Sequence, residues 1–419
     1  MENRYLIALR SFIVSAGATA AATFVGVYGV LLGATPAEMG FLQSTSNSLS
    51  NAGQVFWGRI SDRVGRRLPF LIMGSLSLGA LWFLMPFVYD PFNLIVLYAL
   101  ISVFSSLITV NWYAFIADNV ESATRGNFLS AINNLSSVGT VLSVIAMTFF
   151  FTGANIHDLF IPFVAGGVSY FMTAVLLARG KETRHPRHEI RRHKWKDLKK
   201  NEPFYRYFVA TSVQGYFWSM AWPMFPITII SVMNFSVLTV AYLTIVSLSF
   251  TIATQYFFGR FVDRVNRVPL IFLNRIMLCM IPLMYGLFSS FPEFVLLEVY
   301  SGFTGAIQAV VMTAYLLDVA PRENRAEYIS KINGMNGVVY FLGATTGGFL
   351  LQYLVFLYPL RLALLISYLI VFAGRLASSF LFLRLREVGG NNRRELGLFS
   401  ILLRWKQPGS PSGGPIKPQ

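Results

Sequence analysis

The chain has 419 residues, 55% of them hydrophobic and 13% charged, and its mean hydropathy is +0.56. A soluble domain carries about 25% charged residues, so there are too few charges here to coat a water-facing surface. The formal net charge of +15 would suggest nucleic acid in a soluble protein, but the bases fall in alternate loops between apolar runs, so no nucleic-acid partner is expected. The single Cys279 lies inside an apolar run, which excludes disulfide frameworks and cysteine-ligated clusters. His185, His188 and His193 share one basic linker without ligand spacing and His157 lies apart; no metal and no cofactor are implied.

A helix crossing about 30 Å of hydrocarbon needs roughly 20 apolar residues. Twelve such spans are predicted, near Ser11–Thr35, Met39–Gly58, Leu68–Tyr89, Pro91–Ala117, Gly126–Gly153 and Leu159–Ala178, then two within the charge-free run Tyr207–Gly259, then Pro269–Phe288, Glu293–Leu317, Ile329–Phe356 and Pro359–Leu383. Asn234–Ser236 is the expected hairpin inside the charge-free run. The chain thus divides into a six-helix bundle over 1–180, a basic linker over 181–203, a second bundle over 204–386 and a tail over 387–419. The first apolar run is too long for a cleaved leader. Within the linker, Glu189–Pro203 suits either a helix lying on the inner leaflet or a solvated segment; the Pro- and Gly-rich tail is expected to be unstructured.

Lys and Arg favour the cytoplasmic side of short loops. One set of loops holds Arg4 and Arg10, Arg59–Arg67, Arg125, Lys181–Lys200, Arg260–Arg267, Arg322–Lys331 and the basic tail; the other holds Glu38, Asp90, Asp158 and Glu293, with Arg361 its sole base. The sorting predicts a multi-pass cell-membrane protein with both termini cytoplasmic.

An internal repeat sets the architecture. Gly58-Arg-Ile-Ser-Asp62-Arg63-Val-Gly65-Arg66-Arg67 after span 2 returns after span 8 as Gly259-Arg-Phe-Val-Asp263-Arg264-Val-Asn266-Arg267. Asp118, Arg125 and Asn133 after span 4 return as Asp318, Arg325 and Asn333 after span 10. Two matches in nearly one register indicate duplication of a six-helix unit. With Gly58, Asp62, Arg63, Gly65, Arg66 and Arg67 in place, the chain resembles the major facilitator superfamily over roughly residues 5–385. In the second copy Asn266 replaces a glycine, although asparagine also tolerates a left-handed turn.

That resemblance implies an all-α membrane fold of two pseudo-symmetric six-helix bundles, and a cytoplasmic gate built on Asp62 and, more weakly, Asp263. The flanking bases serve either that latch or topology alone. Asp118 with Arg125 and Asp318 with Arg325 form a second tier of contacts or plain helix ends. The family's antiporter signature, a Gly-Pro pair in span 5, is absent from Leu135-Ser-Ser-Val-Gly139-Thr.

Polar stripes at helical spacing should face protein or water. Span 2 has Gln43, Asn47, Asn51 and Gln54; span 5 has Ser130, Asn133, Ser137 and Thr140; span 8 has Thr244, Ser247, Thr251 and Gln255; span 11 has Ser330, Asn333, Gly337 and Tyr340. Each stripe either lines a path or bonds helix to helix. Span 7 presents Gln214, Trp218, Trp222 and Phe225 on one face, interrupted by Pro223 and Pro226, and span 10 offers Gly302, Gly305 and Gln308. Aromatic faces there can stack on a solute or pack.

Three ionisable residues fall inside spans. Arg275 is expected to snorkel, and Arg375 to snorkel or to find an unidentified partner. Glu298 either binds a coupling proton or a cation, or pairs with Arg361. With no nucleotide-binding loop and no converging catalytic His, Asp and Glu, the favoured function is a secondary active transporter, not an enzyme, moving a small organic solute by alternating access. Neutral polar solutes such as sugars are slightly preferred. The runner-up is proton-coupled export of amphiphilic or cationic drugs through Glu298, and the third a non-transporting receptor. A monomer in the lipid bilayer is expected.

Overall fold

A computed structural model describes residues 3–120, 125–151, 156–181, 199–262, 265–321 and 325–388; the regular elements among them are helical. In chain order the first bundle holds α1 (Asn3–Leu31), α2 (Pro36–Val64), α3 (Leu68–Phe87), α4 (Pro91–Asn119), α5 (Arg125–Thr148) and α6 (Ile156–Ala178). The second holds α7 (Glu202–Met220, resuming over Met224–Ile227), α8 (Val237–Val262), α9 (Arg267–Leu287), α10 (Phe291–Val319), α11 (Arg325–Leu357) and α12 (Leu360–Ser379). Ten of these are long and apolar enough to cross a membrane. The exceptions are α2, diluted by its carboxamide stripe, and α7, whose uninterrupted part ends at Met220 and is rich in Tyr, Trp and Ser.

Short loops carry strong start and stop signals. At α2, Thr35 and Glu38 form a capping box with Pro36 at the first helical position, satisfying amides that the helix leaves unpaired. Asp90 caps α4 by accepting from the Asn93 amide at 2.9 Å, and Glu293 accepts from the Ser289 and Ser290 amides at 2.7 and 2.8 Å ahead of α10. Gly65 ends α2 at φ 69°, the left-handed conformation that glycine takes without cost, and its amide bonds the Ser61 carbonyl. Asn234 has φ 52° and turns the chain where the hairpin was predicted.

Two expectations need correction. Helix α1 begins at Asn3, well before Ser11, so Arg10 is not a loop residue: it is buried, with its guanidinium 4.1 Å from the Trp112 ring centre. Asn266 is extended at φ −62°, ψ 135° and does not reproduce the left-handed turn of Gly65. Glu387 instead closes that corner, its carboxylate accepting from the Arg267 and Val268 amides at 2.8 and 2.9 Å at the start of α9.

The main seam between the halves is α2 against α11, with α5 on α8 and the second halves of α1 and α7 beside it. Small residues let backbones meet. A Cβ at Gly40 would lie 2.9 Å from the Ala344 carbonyl oxygen, and one at Gly348 would lie 2.6 Å from the Pro36 carbonyl oxygen. Phe41 and Phe349 meet edge to face at 5.7 Å, and Ser48 Oγ donates to the Gly337 carbonyl at 2.6 Å. The glycine and phenylalanine contacts lie toward the end away from the basic loops and close it, while the Ser48–Gly337 bond lies near mid-helix. Toward the basic end Asn133, Ser330 and Asn333 are exposed.

Candidate functional site

Beneath the closed end lies a cavity of about 380 Å³ shared by both halves. The first half contributes Gln43 on α2 and Thr23, Gly26 and Tyr98; the second contributes Thr244 and Ser247 on α8, Phe225 and Pro226 after the break in α7, Tyr285 on α9 and Glu298 on α10. Glu298 accepts from the Tyr285 hydroxyl at 3.1 Å. It stands seven residues into α10, about 10 Å from that helix's start at 1.5 Å per residue. Arg361, the pairing alternative, is exposed on α12. The cavity therefore offers one carboxyl, one carboxamide, hydroxyls and aromatic surface, a composition that suits small organic solutes.

A second cavity, about 200 Å³, lies inside the second half toward the basic end, between α7, α9, α10 and α11. Arg275 lines it and is 4% exposed, so the snorkelling expectation is wrong: the side chain points into protein, with its guanidinium 5.2 Å from the Phe382 ring centre. Gln214, Gln308, Asn333, Asn336, Trp218 and Tyr340 share the wall. Gln214 Oε1, Gln308 Oε1, Asn336 Oδ1 and Arg275 Nε are buried with no hydrogen-bond partner among the described residues.

Arg375 is 1% exposed and does not snorkel. Its partners are three main-chain carbonyls: Phe217 at 3.3 Å, Trp218 at 2.8 Å and Leu278 at 3.2 Å. The guanidinium also lies 4.7 Å from the Trp218 ring centre, so one face of that indole is occupied by protein.

The remaining predicted residues fall in different surroundings. Gln43, Gln214, Trp218, Gln308 and Asn333 line cavities. Trp222 packs on Tyr340 at 5.2 Å, Asn51 meets Gly337 across the seam, and Thr140 bonds the Ser15 carbonyl of α1 at 3.3 Å; these act as helix-to-helix contacts. Thr251 bonds both Ser247 and Gly302 carbonyls, and Gln255 is half-buried near the end of α8. At the basic end Asp318 accepts from Arg267 at 2.6 Å, a partner the sequence did not indicate, and Gly58 packs on Val110 of α4. Arg63 and Arg66 are exposed, and Asp118 is half-buried. Asp263 and Arg264 lie outside the described residues, as do the side chains of Asn47, Asp62, Arg125 and Arg325 and the surroundings of Gly259.

Sequence reasoning missed Asn336, Tyr207, Tyr285 and Tyr98 as cavity residues. Asn333, Asn336 and Tyr340 stand three and four apart, a helical face that was legible although the spacing was read through Gly337 instead.

The Major Facilitator Superfamily model matches the chain twice, over residues 7–214 and 207–412. No curated protein matches the sequence. The nucleoside transporter NupG is 13% identical with a TM-score of 0.69, covering 92% of this chain and 99% of that one. The D-xylose–proton symporter is 13% identical with a TM-score of 0.68, covering 92% and 97%. A bacterial homologue of the human lysosomal transporter Spinster, inward-facing and unoccupied, is 12% identical with a TM-score of 0.66, covering 92% and 99%. At these identities the likeness is one of fold.

Proposed function

We propose that the chain, which belongs to the major facilitator superfamily, is a secondary active transporter of a small, hydroxyl-bearing organic solute, coupled to protons through Glu298. The observation that carries this is the shared cavity: polar groups from both bundles meet where the halves join, beneath the glycine seam that closes one end. A site built from two bodies changes its access when the bodies rock, which is alternating access.

Gln43 and the hydroxyls of Thr244 and Ser247 can donate to and accept from a solute's hydroxyl groups. Sugar- and nucleoside-sized cargo fits the volume, and the nucleoside transporter and the xylose symporter that share this fold carry cargo of that kind. Glu298, bonded to Tyr285 beside the cavity, is placed to exchange a proton as solute binds. Loop charge assigns the basic end to the cytoplasm, which makes the closed end the outer one in this reading. Purified protein in liposomes should exchange labelled solute for unlabelled and accumulate it under an imposed proton gradient. Counterflow absent for sugars, nucleosides and organic acids alike would reject the transporter reading. Accumulation restricted to lipophilic cations would move the assignment to drug export.

A further inference from the structure

We propose that the cavity around Arg275 is an anion subsite, and that the transported solute is a hydroxylated organic monocarboxylate whose carboxylate docks there. This rests on the transporter reading and narrows its substrate beyond the neutral solute favoured by the spans alone.

The first argument is an unbalanced charge. Arg275 stands eight residues into α9, about 12 Å from the helix start at 1.5 Å per residue, and is 96% buried. A cation at that depth is costly without an acid partner, and among the described residues its guanidinium lies against the Phe382 ring, with Nε unbonded. The acids that share the interior of the same half among the described residues have partners elsewhere. Asp318 holds Arg267, Glu327 holds Lys331 at 2.9 Å, Glu387 caps α9, and Glu298 bonds Tyr285 in the other cavity.

The second argument is the company it keeps. Gln214, Gln308 and Asn336 share its wall, and each has a buried side-chain carbonyl oxygen without a donor among the described residues. Buried acceptors left open cost about 1–3 kcal/mol each, so a ligand that brings hydroxyl or amide hydrogens as well as an anion matches this wall once the carboxamides turn toward it. A guanidinium presents a planar fork that a carboxylate meets with two parallel bonds. One cation in a cavity with no other charged residue among the described lining balances one negative charge, which favours a carboxylate over a phosphate dianion. Trp218 and Tyr340 give flat walls for the carbon skeleton, and about 200 Å³ admits a small solute or one end of a larger one.

The test uses the full chain in detergent, following thermal unfolding with D-glucuronate, D-galacturonate and D-gluconate, each against its neutral amide. A ligand bound only by the folded state raises the midpoint. The acids should stabilise saturably, with each amide at least tenfold weaker. Arg275→Gln should erase the difference, and Arg275→Lys should keep part of it. If Arg275→Gln fails to fold, the acid–amide comparison on the unmutated protein still decides, joined by Gln308→Leu, which should weaken acid binding. Equal binding of acids and amides, no binding of either, or tighter binding of inorganic phosphate or glucose 6-phosphate would overturn the proposal. Neutral-sugar counterflow persisting in liposomes in any of those cases would leave the transporter reading standing. Acid-selective stabilisation without any counterflow would instead keep the subsite and remove the transport.

Discussion

Arg375 Nη2 on α12 donates to the Trp218 carbonyl oxygen, 2.8 Å away, in the last turn of α7 before that helix breaks. The Trp222 amide that would normally bond Trp218 turns to Ser219 instead. Arg375 Nη1 reaches Leu278, whose usual amide partner four residues on is Pro282, which has none. One guanidinium thus satisfies carbonyls released at two helix interruptions, inside a membrane-depth core where water cannot do so.

Removing that clamp should be expensive. Arg375→Met is expected to destabilise the fold by roughly 2–5 kcal/mol, since bonds to charged groups contribute about 1.5–3 kcal/mol each and the released carbonyls stay buried. Arg375→Lys should fall between. Thermal unfolding followed by intrinsic fluorescence reads this directly, and an unchanged midpoint for Arg375→Met would show that the carbonyls find other donors.

Glu298→Gln preserves the shape and the Tyr285 contact but cannot release a proton. Solute exchange across liposomes at equal pH should persist within about threefold, equivalent to about 0.65 kcal/mol, while uphill accumulation driven by a pH gradient should vanish. Accumulation equal to that of the unmutated protein would remove Glu298 from coupling.

Much of this was visible in sequence because membrane helices are written in long uncharged runs, and because the Gly58–Arg67 motif returns near Gly259. The central cavity residues Gln43, Thr244 and Ser247 lay on polar stripes for the same reason. What the sequence could not show was direction. Arg275 reads from sequence as a snorkelling cation and Arg375 as one that snorkels or finds an unidentified partner, since spacing gives depth along a helix but not which neighbour the side chain meets. Arg375 found carbonyls freed by Pro282 and the α7 break, a relationship among three helices distant in sequence. Asn266 looked able to replace glycine, but whether the turn was needed depended on Glu387, more than a hundred residues later.

The Arg267–Asp318 pair joins the start of α9 to the end of α10 at 2.6 Å, with both side chains largely covered. Its coupling should exceed that of an exposed pair, which reaches at most about 1 kcal/mol. A double-mutant cycle with Arg267→Gln and Asp318→Asn, read by thermal unfolding, is expected to give about 1–3 kcal/mol. A value near zero would make the pair incidental.

At the closed end, Gly348→Val places methyl groups where the Pro36 carbonyl and the Gly40 backbone lie. Because that contact joins the halves and is not inside either bundle, folding should survive while the end is wedged open. Labelling of Phe41→Cys by a membrane-impermeant maleimide should rise, and counterflow should fall at least tenfold, about 1.4 kcal/mol. Unchanged labelling would show that the seam tolerates a larger side chain.

Whether the two halves must part at that seam for solute to cross is tested most directly by tying them together. In a Cys279→Ser background, Phe41→Cys and Phe349→Cys replace the rings that meet across the halves, and a short bis-methanethiosulfonate bridges them. Counterflow should stop on bridging and return on reduction, with solute still binding to the bridged protein from the basic side. Full counterflow through the bridged protein would contradict alternating access about this cavity.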